Sequence, residues 1–190
     1  MTVDKRLIKQ VINGDTNAFR QLVDVHHKRV IHICLSFVNI PHDAEDVAQE
    51  VFIEVYKSIH NYRGEASLST WLYRLSVNKS LDFIRQKKRQ KRGNGLVVSY
   101  EKTDLENLQV SSKQLPSDRM EEEERNRILY KAIAQLPERQ RVAILLSKID
   151  ELAQQEVADI MKTTVSSVES LLVRAKKKLK ELLLAEKEEI

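Results

Sequence analysis

The run Asp43-Ala44-Glu45-Asp46-Val47-Ala48-Gln49-Glu50 opens a segment, reaching to Arg92, from which the rest of the chain is read. Ala44, Val47, Ala48, Val51, Val55 and Ile59 recur at steps of three and four, which predicts a helix with one buried stripe. Asn39-Ile40-Pro41 ends the preceding helix, and His42 or Asp43 is the predicted N-cap of this one. Its outward face carries Asp46, Gln49, Glu50 and Ile53, acids beside an apolar residue where an ordinary solvated face would interleave Lys and Arg. From these residues alone the face is either an acidic solvated surface or a protein-binding one.

A polar loop follows from Asn61 to Ser69, carrying Tyr62, Arg63 and a conformationally free Gly64. Ser69 or Thr70 is expected to cap the next helix, which holds Trp71. There Tyr73, Val77, Leu81 and Ile84 take inward positions, while Arg74, Asn78, Asp82, Arg85, Arg89 and Arg92 follow an opposite face. The helix runs into Arg85-Gln86-Lys87-Lys88-Arg89-Gln90-Lys91-Arg92, a block that meets either solvent or a polyanion. Asp82 and Arg85, three apart, either pair with each other or leave the arginine for a ligand.

Upstream, Val3, Leu7, Ile8 and Val11 mark an amphipathic helix that Asn13-Gly14-Asp15 stops. Asp15 or Thr16 then caps a second helix with Ala18, Phe19, Leu22, Val23, Val30, Ile33, Cys34 and Phe37 inward. Adjacent His26 and His27 point in different directions, a poor metal pair, so these and His32 are expected to be solvated or packed. Cys34 is the only cysteine, which excludes an intrachain disulfide and a cysteine-based zinc site and suggests a buried thiol. His42-Asp43-Ala44-Glu45 reverses the Glu-x-x-His order of di-iron bundles and has no second copy, so no metal site is expected.

Gly93 to Met120 is rich in small and polar residues, contains Pro116 and lacks a sustained apolar period, which reads as a linker. Leu96-Val97-Val98 and Leu105 are its candidates for local contacts. Beyond it Glu121 to Glu124 start a helix with Ile128, Leu129, Ala132, Ile133 and Leu136 apolar, and Pro137 enters the first turn of the next, which buries Val142, Ala143, Leu145 and Leu146. Leu152 to Met161 is then a short helix, Lys162-Thr163-Thr164 a turn, and Val165 to about Lys187 a long helix. The long helix hides Val168, Leu171, Leu172, Ala175, Leu179 and Leu182. It shows Ser166, Ser167 and Ser170, followed by Arg174, Lys176, Lys177 and Lys178. Hydroxyls that approach base edges ahead of cations that meet phosphates are the division of labour of a DNA-binding helix-turn-helix.

With 32% charged and 42% apolar residues, four Gly and three Pro in 190 residues, the composition suits an all-α protein of two helical domains. The divisions fall at 1–92, 93–120 and 121–190. The net charge of +4 is small, but the signs are segregated along the chain, so local fields rather than the sum steer partners. No Gly-rich phosphate loop or nucleophile constellation is visible, so neither catalysis nor a cofactor is expected. The N-terminus lacks a signal-peptide core and no run approaches the ~18 apolar residues of a membrane span. A cytoplasmic protein without direct membrane insertion is expected.

The order of these motifs resembles the extracytoplasmic-function group of bacterial RNA polymerase sigma factors. The resemblance rests on Asp43 to Phe52, on Thr70 to Arg74 with Asn78, Asp82 and Arg85, on Leu136 to Arg141, and on Glu156 to Ile160 through Val168 to Ala175. It implies that Asp46, Gln49, Glu50 and Ile53 bind core RNA polymerase. It implies that Tyr62, Arg63, Gly64, Ser67, Trp71, Arg74, Asn78, Arg85, Lys88 and Arg89 serve the promoter −10 element. An extruded base would be received in the loop from Tyr62 to Leu68. Arg139, Arg141, Ser166, Ser167, Ser170, Arg174 and Lys177 would serve the −35 element, and an anti-sigma factor is an implied partner. The chain departs from the family in having Lys162-Thr163-Thr164 where a glycine often stands, and Glu169 where Lys is common. A different class, a helix-turn-helix regulator with an N-terminal sensor or dimerisation module, would not need Tyr62, Trp71 and the basic block beside an acidic face.

Overall fold

Helix α1 (Val3–Ile12), α2 (Thr16–Val38), α3 (Pro41–Ser58) and α4 (Leu68–Gly93) form the first of two units, Met1–Ser99. Helix α5 (Pro116–Ala134), α6 (Glu138–Ile144), α7 (Gln154–Ile160) and α8 (Val165–Glu188) form the second, Tyr100–Ile190. This computed structural model describes residues 3–93 and 116–188, and among them no strand occurs. Most of the expected linker, with Leu96-Val97-Val98 and Leu105, lies outside the described residues, as do the side chains of Val3, Arg92, Glu121 to Glu123 and Lys187. Helix α5 starts at Pro116, inside the stretch read as linker and ahead of Glu121.

In the first unit α2, α3 and α4 pack on one another, and α1 lies on α2 and on the 3-10 turn Ile59–Asn61. Every expected inward residue of α3 is buried, with Ala44, Val51, Val55 and Ile59 wholly so. At roughly 1.5–3 kcal/mol for each large apolar side chain, this stripe is the main determinant of α3's rotation about its axis. Its start differs from expectation: Pro41 is the first helical residue and Ile40 the N-cap, so neither His42 nor Asp43 caps it. Pro41 has no N–H, so the helix start has one fewer unpaired donor, and no side chain caps it. Asn39, in the left-handed region at φ 61°, turns the chain out of α2, and the Asp15 carboxylate caps α2 by accepting from the N–H groups of Asn17 (2.9 Å) and Ala18 (3.1 Å).

Two contacts within this unit were not legible from spacing. Ser76 and Ser80 of α4 are wholly buried beside the expected Tyr73, Val77 and Leu81, small enough to bring α4 close to α2. His26 continues the buried series Leu22, His26, Val30, and its Nε2 lies 3.3 Å from Asp4 Oδ1 of α1.

The second unit is built around α8, on which α5, α6 and α7 pack. Pro137 is the N-cap of α6 rather than a residue of its first turn, and α6 runs into a π-helical turn, Leu145–Ile149, that keeps Leu145 and Leu146 inside. Between α7 and α8 the turn is made without glycine. Lys162 takes φ 49°, its N–H donates to Asp159 O at 3.2 Å, and the Thr163 N–H donates to Ala158 O at 2.9 Å. These are the two hydrogen bonds of a Schellman end, with a lysine in the position that glycine fills at least cost.

Cys34 is wholly buried, and burial pushes its thiol from 9.0 up to about 12, the Ser80 hydroxyl offsetting part of the rise. The unfolded thiol ionises first, so this group's contribution to stability is complete below pH 9.0 and is lost as the pH climbs through about 12. Urea unfolding at alkaline pH is expected to show a stability decline across that window that Cys34→Ala makes shallower.

Candidate functional site

With its apolar stripe turned inward, α3 leaves Asp46, Gln49, Glu50 and Ile53 exposed on one surface, Ile53 at 45%. The acids there are lightly held: His42 Nδ1 is 3.9 Å from Asp46, and Lys79 of α4 is 3.8 Å from Glu50 and 3.3 Å from Glu54. Exposed pairs of this kind contribute about 0–1 kcal/mol and are readily exchanged for a partner's charges. Beside this face α2 and α3 enclose a groove of about 710 Å³, lined by residues that include Phe19, Val23, Phe52, Ile53 and Tyr56. Tyr56 meets Phe19 edge-on at 5.0 Å, and His27 stacks on Phe52 at 6.3 Å. Gln49 and Ile53 therefore border both an acidic surface and an apolar groove. Sequence spacing signalled the first and missed the second, because the groove needs α2 beside α3.

The loop before α4 is held at both ends. Tyr62 donates its hydroxyl to Ala66 O at 2.6 Å, and its half-buried ring packs on Trp71 with centroids 5.3 Å apart. Burial, and secondarily the charge of Asp4, raise the Tyr62 phenol above its ordinary range, so it stays a donor. Ser67 caps α4, where Ser69 or Thr70 was expected: its Oγ accepts from the Thr70 N–H at 3.0 Å and lies 2.8 Å from Thr70 Oγ1. Ser69 instead accepts from Arg29 at 3.2 Å. Arg63, Gly64 and Glu65 are exposed between the clamped ends, Gly64 at φ 74°. Thus Tyr62 and Trp71 brace the loop from below, and the tip presents a cation, an anion and a bare backbone.

Along α4, Asn78, Arg85, Lys88 and Arg89 are exposed and Arg74 is half-buried. Arg85 pairs with Asp82 at 2.8 Å, the local alternative that their spacing allowed, and Arg89 Nε donates to Arg85 O at 3.4 Å. Lys87, in the same basic block, turns back instead, bonding Asp43 at the start of α3 and lying 5.1 Å over the Phe83 ring.

On α8, Ser166, Ser170, Arg174 and Lys177 share an exposed face, with Arg139 exposed on α6. Ser167 is half-buried and tied into the helix start: its N–H donates to Thr164 Oγ1 at 3.2 Å and its Oγ accepts from that hydroxyl at 3.0 Å. Arg141, expected at the −35 element, is largely buried in the second unit, 7% exposed. The alternation of exposed Arg139 and buried Arg141 follows the turn of α6, which the short motif Glu138-Arg139-Gln140-Arg141 does not reveal. Among the described residues no group of three or more His, Cys, Asp or Glu is placed to hold a metal, and no helix is long and apolar enough to cross a membrane.

The model of Sigma-70 region 2 matches residues 22–90 and that of Sigma-70 region 4 matches residues 126–179. The ECF RNA polymerase sigma factor SigW of Bacillus subtilis is 33% identical over 179 residues, covering 94% of this chain and 96% of SigW. The chain belongs to the ECF sigma factors. The ECF RNA polymerase sigma-E factor of Haemophilus influenzae is 32% identical over 177 residues, 91% of each chain. The structure of CnrH in complex with the cytosolic domain of CnrY superposes with a TM-score of 0.66 at 25% identity, covering 97% of this chain and 99% of that one. The sigma factor RpoE of Bartonella quintana, solved with the anti-sigma factor NepR, shares the fold at a TM-score of 0.63 and 21% identity, over 87% of this chain and 96% of that one. As a sigma factor the chain directs RNA polymerase to promoters, and a regulator with a sensor module is not favoured, since region 2 accounts for α2 to α4.

The loop's rigidity depends on the Ser67 cap. Ser67→Ala is expected to lower stability by about 1 kcal/mol in urea unfolding, and Ser67→Asp, which restores the acceptor, to recover most of it.

Proposed function

We propose that this sigma factor recruits core RNA polymerase through α3 and opens promoters with α4, its loop and α8, without catalytic activity of its own. The observation that carries the reading is the juxtaposition on α3 of exposed Asp46, Gln49, Glu50 and Ile53 with the groove between α2 and α3. A helical partner with cations at its rim and apolar residues at its centre fits such a face, charge setting encounter and apolar burial setting residence. The polymerase supplies the chemistry.

Residues 1–92 would carry polymerase binding and the −10 element, and the second unit, with α5 extending it back to Pro116, the −35 element. Arg63, Gly64 and Ser67 at the loop, braced by Tyr62 and Trp71, would receive an unpaired base, at an unstacking cost of a few kcal/mol. Arg74, Asn78, Arg85, Lys88 and Arg89 would follow the strand and its upstream phosphates. Arg139, Ser166, Ser170, Arg174 and Lys177 would engage the duplex at −35, with Ser167 setting the start of α8. Family membership adds an anti-sigma factor as a partner and the cytoplasm as the place of action.

Transcription reconstituted from a genomic promoter library with purified core polymerase tests the whole reading, which fails if no specific transcripts start. Asp46→Arg with Glu50→Arg is expected to weaken core binding at least about tenfold through like charges placed at the interface, with thermal unfolding unchanged. A parallel loss of stability would mark a folding defect instead.

A further inference from the structure

The exposed face at the start of α8 holds two residues that phosphate contact does not explain. Ser166, Glu169, Ser170 and Val173 follow one another at steps of three, one and three, and all four are exposed. Val168, Leu171, Leu172 and Ala175 occupy the opposite side and are buried, so the orientation of the outer four is set by the core. Val173 is 68% exposed, the most open of the large apolar residues described. Glu169 lies one turn before it, and among the described residues its carboxylate makes no ion pair or hydrogen bond. Arg174, five residues on, bonds its own helix, its Nε donating to Ser170 O at 3.2 Å.

An unpaired acid on a helix that faces a polyanion is repelled by phosphates, and binding leaves it uncompensated unless it finds a donor. In the major groove the donors are the amino groups of cytosine and adenine. Adenine presents its amino group beside the N7 acceptor, which a carboxylate with two acceptor oxygens cannot satisfy, whereas cytosine presents a donor alone. An exposed valine gains nothing from phosphates either, but thymine offers a methyl group on the same groove floor. Four residues of helix advance about 6 Å, close to two base-pair steps of about 3.4 Å.

We infer that Glu169 and Val173 are specificity-determining residues of this sigma factor, Glu169 accepting from the amino group of a cytosine and Val173 packing on the methyl of a thymine within two steps of it. Arg174 and Lys177 hold the backbone and carry no base preference. This rests on the reading of α8 as the −35 helix.

The test is selection by the full chain, assembled with core polymerase, from promoters randomised across the −35 region above one fixed −10 sequence. Wild type is expected to enrich cytosine at one position by about tenfold over other bases. Glu169→Gln, whose amide matches the donor and acceptor pair of adenine, moves that preference to adenine. Replacing the selected thymine by deoxyuridine, which lacks only the methyl, weakens binding several-fold for wild type and by less for Val173→Ala, whose shorter side chain makes a smaller contact. Arg174→Ala and Lys177→Ala weaken binding to all sequences alike. A cytosine preference that survives Glu169→Gln unchanged, or a deoxyuridine penalty equal in wild type and Val173→Ala, overturns the inference alone. If wild type selects no base anywhere in the region, the docking of α8 falls and takes the inference with it.

Discussion

The buried stripe of α3 is the constraint on which the first unit depends. Val47, Val51, Val55 and Ile59 are closed off between α2, α4 and the turn that follows, and together they outweigh by severalfold any exposed ion pair on the same helix. Because a helix repeats every 3.6 residues, fixing that stripe fixes the exposed set as well. The acids of α3 are thus presented by the core rather than by one another. Their pairs with His42 and Lys79 can open toward a partner while the backbone beneath stays in place.

A similar separation of support from contact governs the loop. A residue that lines a base pocket needs a free edge or face, whereas Tyr62 has committed its hydroxyl to Ala66 and one side of its ring to Trp71. Those commitments, with the Ser67 cap, reduce the freedom that the loop would lose on binding a ligand. Arg63, Gly64 and Glu65 keep theirs and stand at the tip. The order of the chain, brace then tip then cap, is what leaves Arg63, Gly64 and Glu65 accessible between fixed ends.

The all-α fold was legible because apolar periodicity over long helices is a strong signal: the stripe of α3 buries throughout, and those of α2 and α8 bury except for half-buried Phe19, Val23 and Leu182. Contacts between distant residues were not. Asp43 read as a cap, yet it is half-buried and bound to Lys87, a residue of the block expected to meet solvent or a polyanion. His26 completes a buried series whose gap was visible, but its partner Asp4 belongs to another helix. The burial of Arg141 is not visible in the motif Glu138-Arg139-Gln140-Arg141 and becomes plain only once α6 lies against α8. The glycine-free turn shows the converse: Lys162 adopts a left-handed conformation because two backbone hydrogen bonds and the burial of Val157, Ala158, Ile160 and Val168 over-determine it.

Segregated charge then has a thermodynamic consequence for how the two interfaces respond to salt. Contacts that neutralise phosphates release condensed counterions, so on the proposed reading α4 and α8 would lose affinity for DNA steeply as ionic strength rises. The face of α3 combines a few acids with Ile53 and an apolar groove, and burial of apolar surface is not screened. A net charge of +4 conceals both regimes, since acids and bases cancel in the sum while acting on different partners. On that reading the chain would stay attached to its protein partner at ionic strengths that loosen it from DNA.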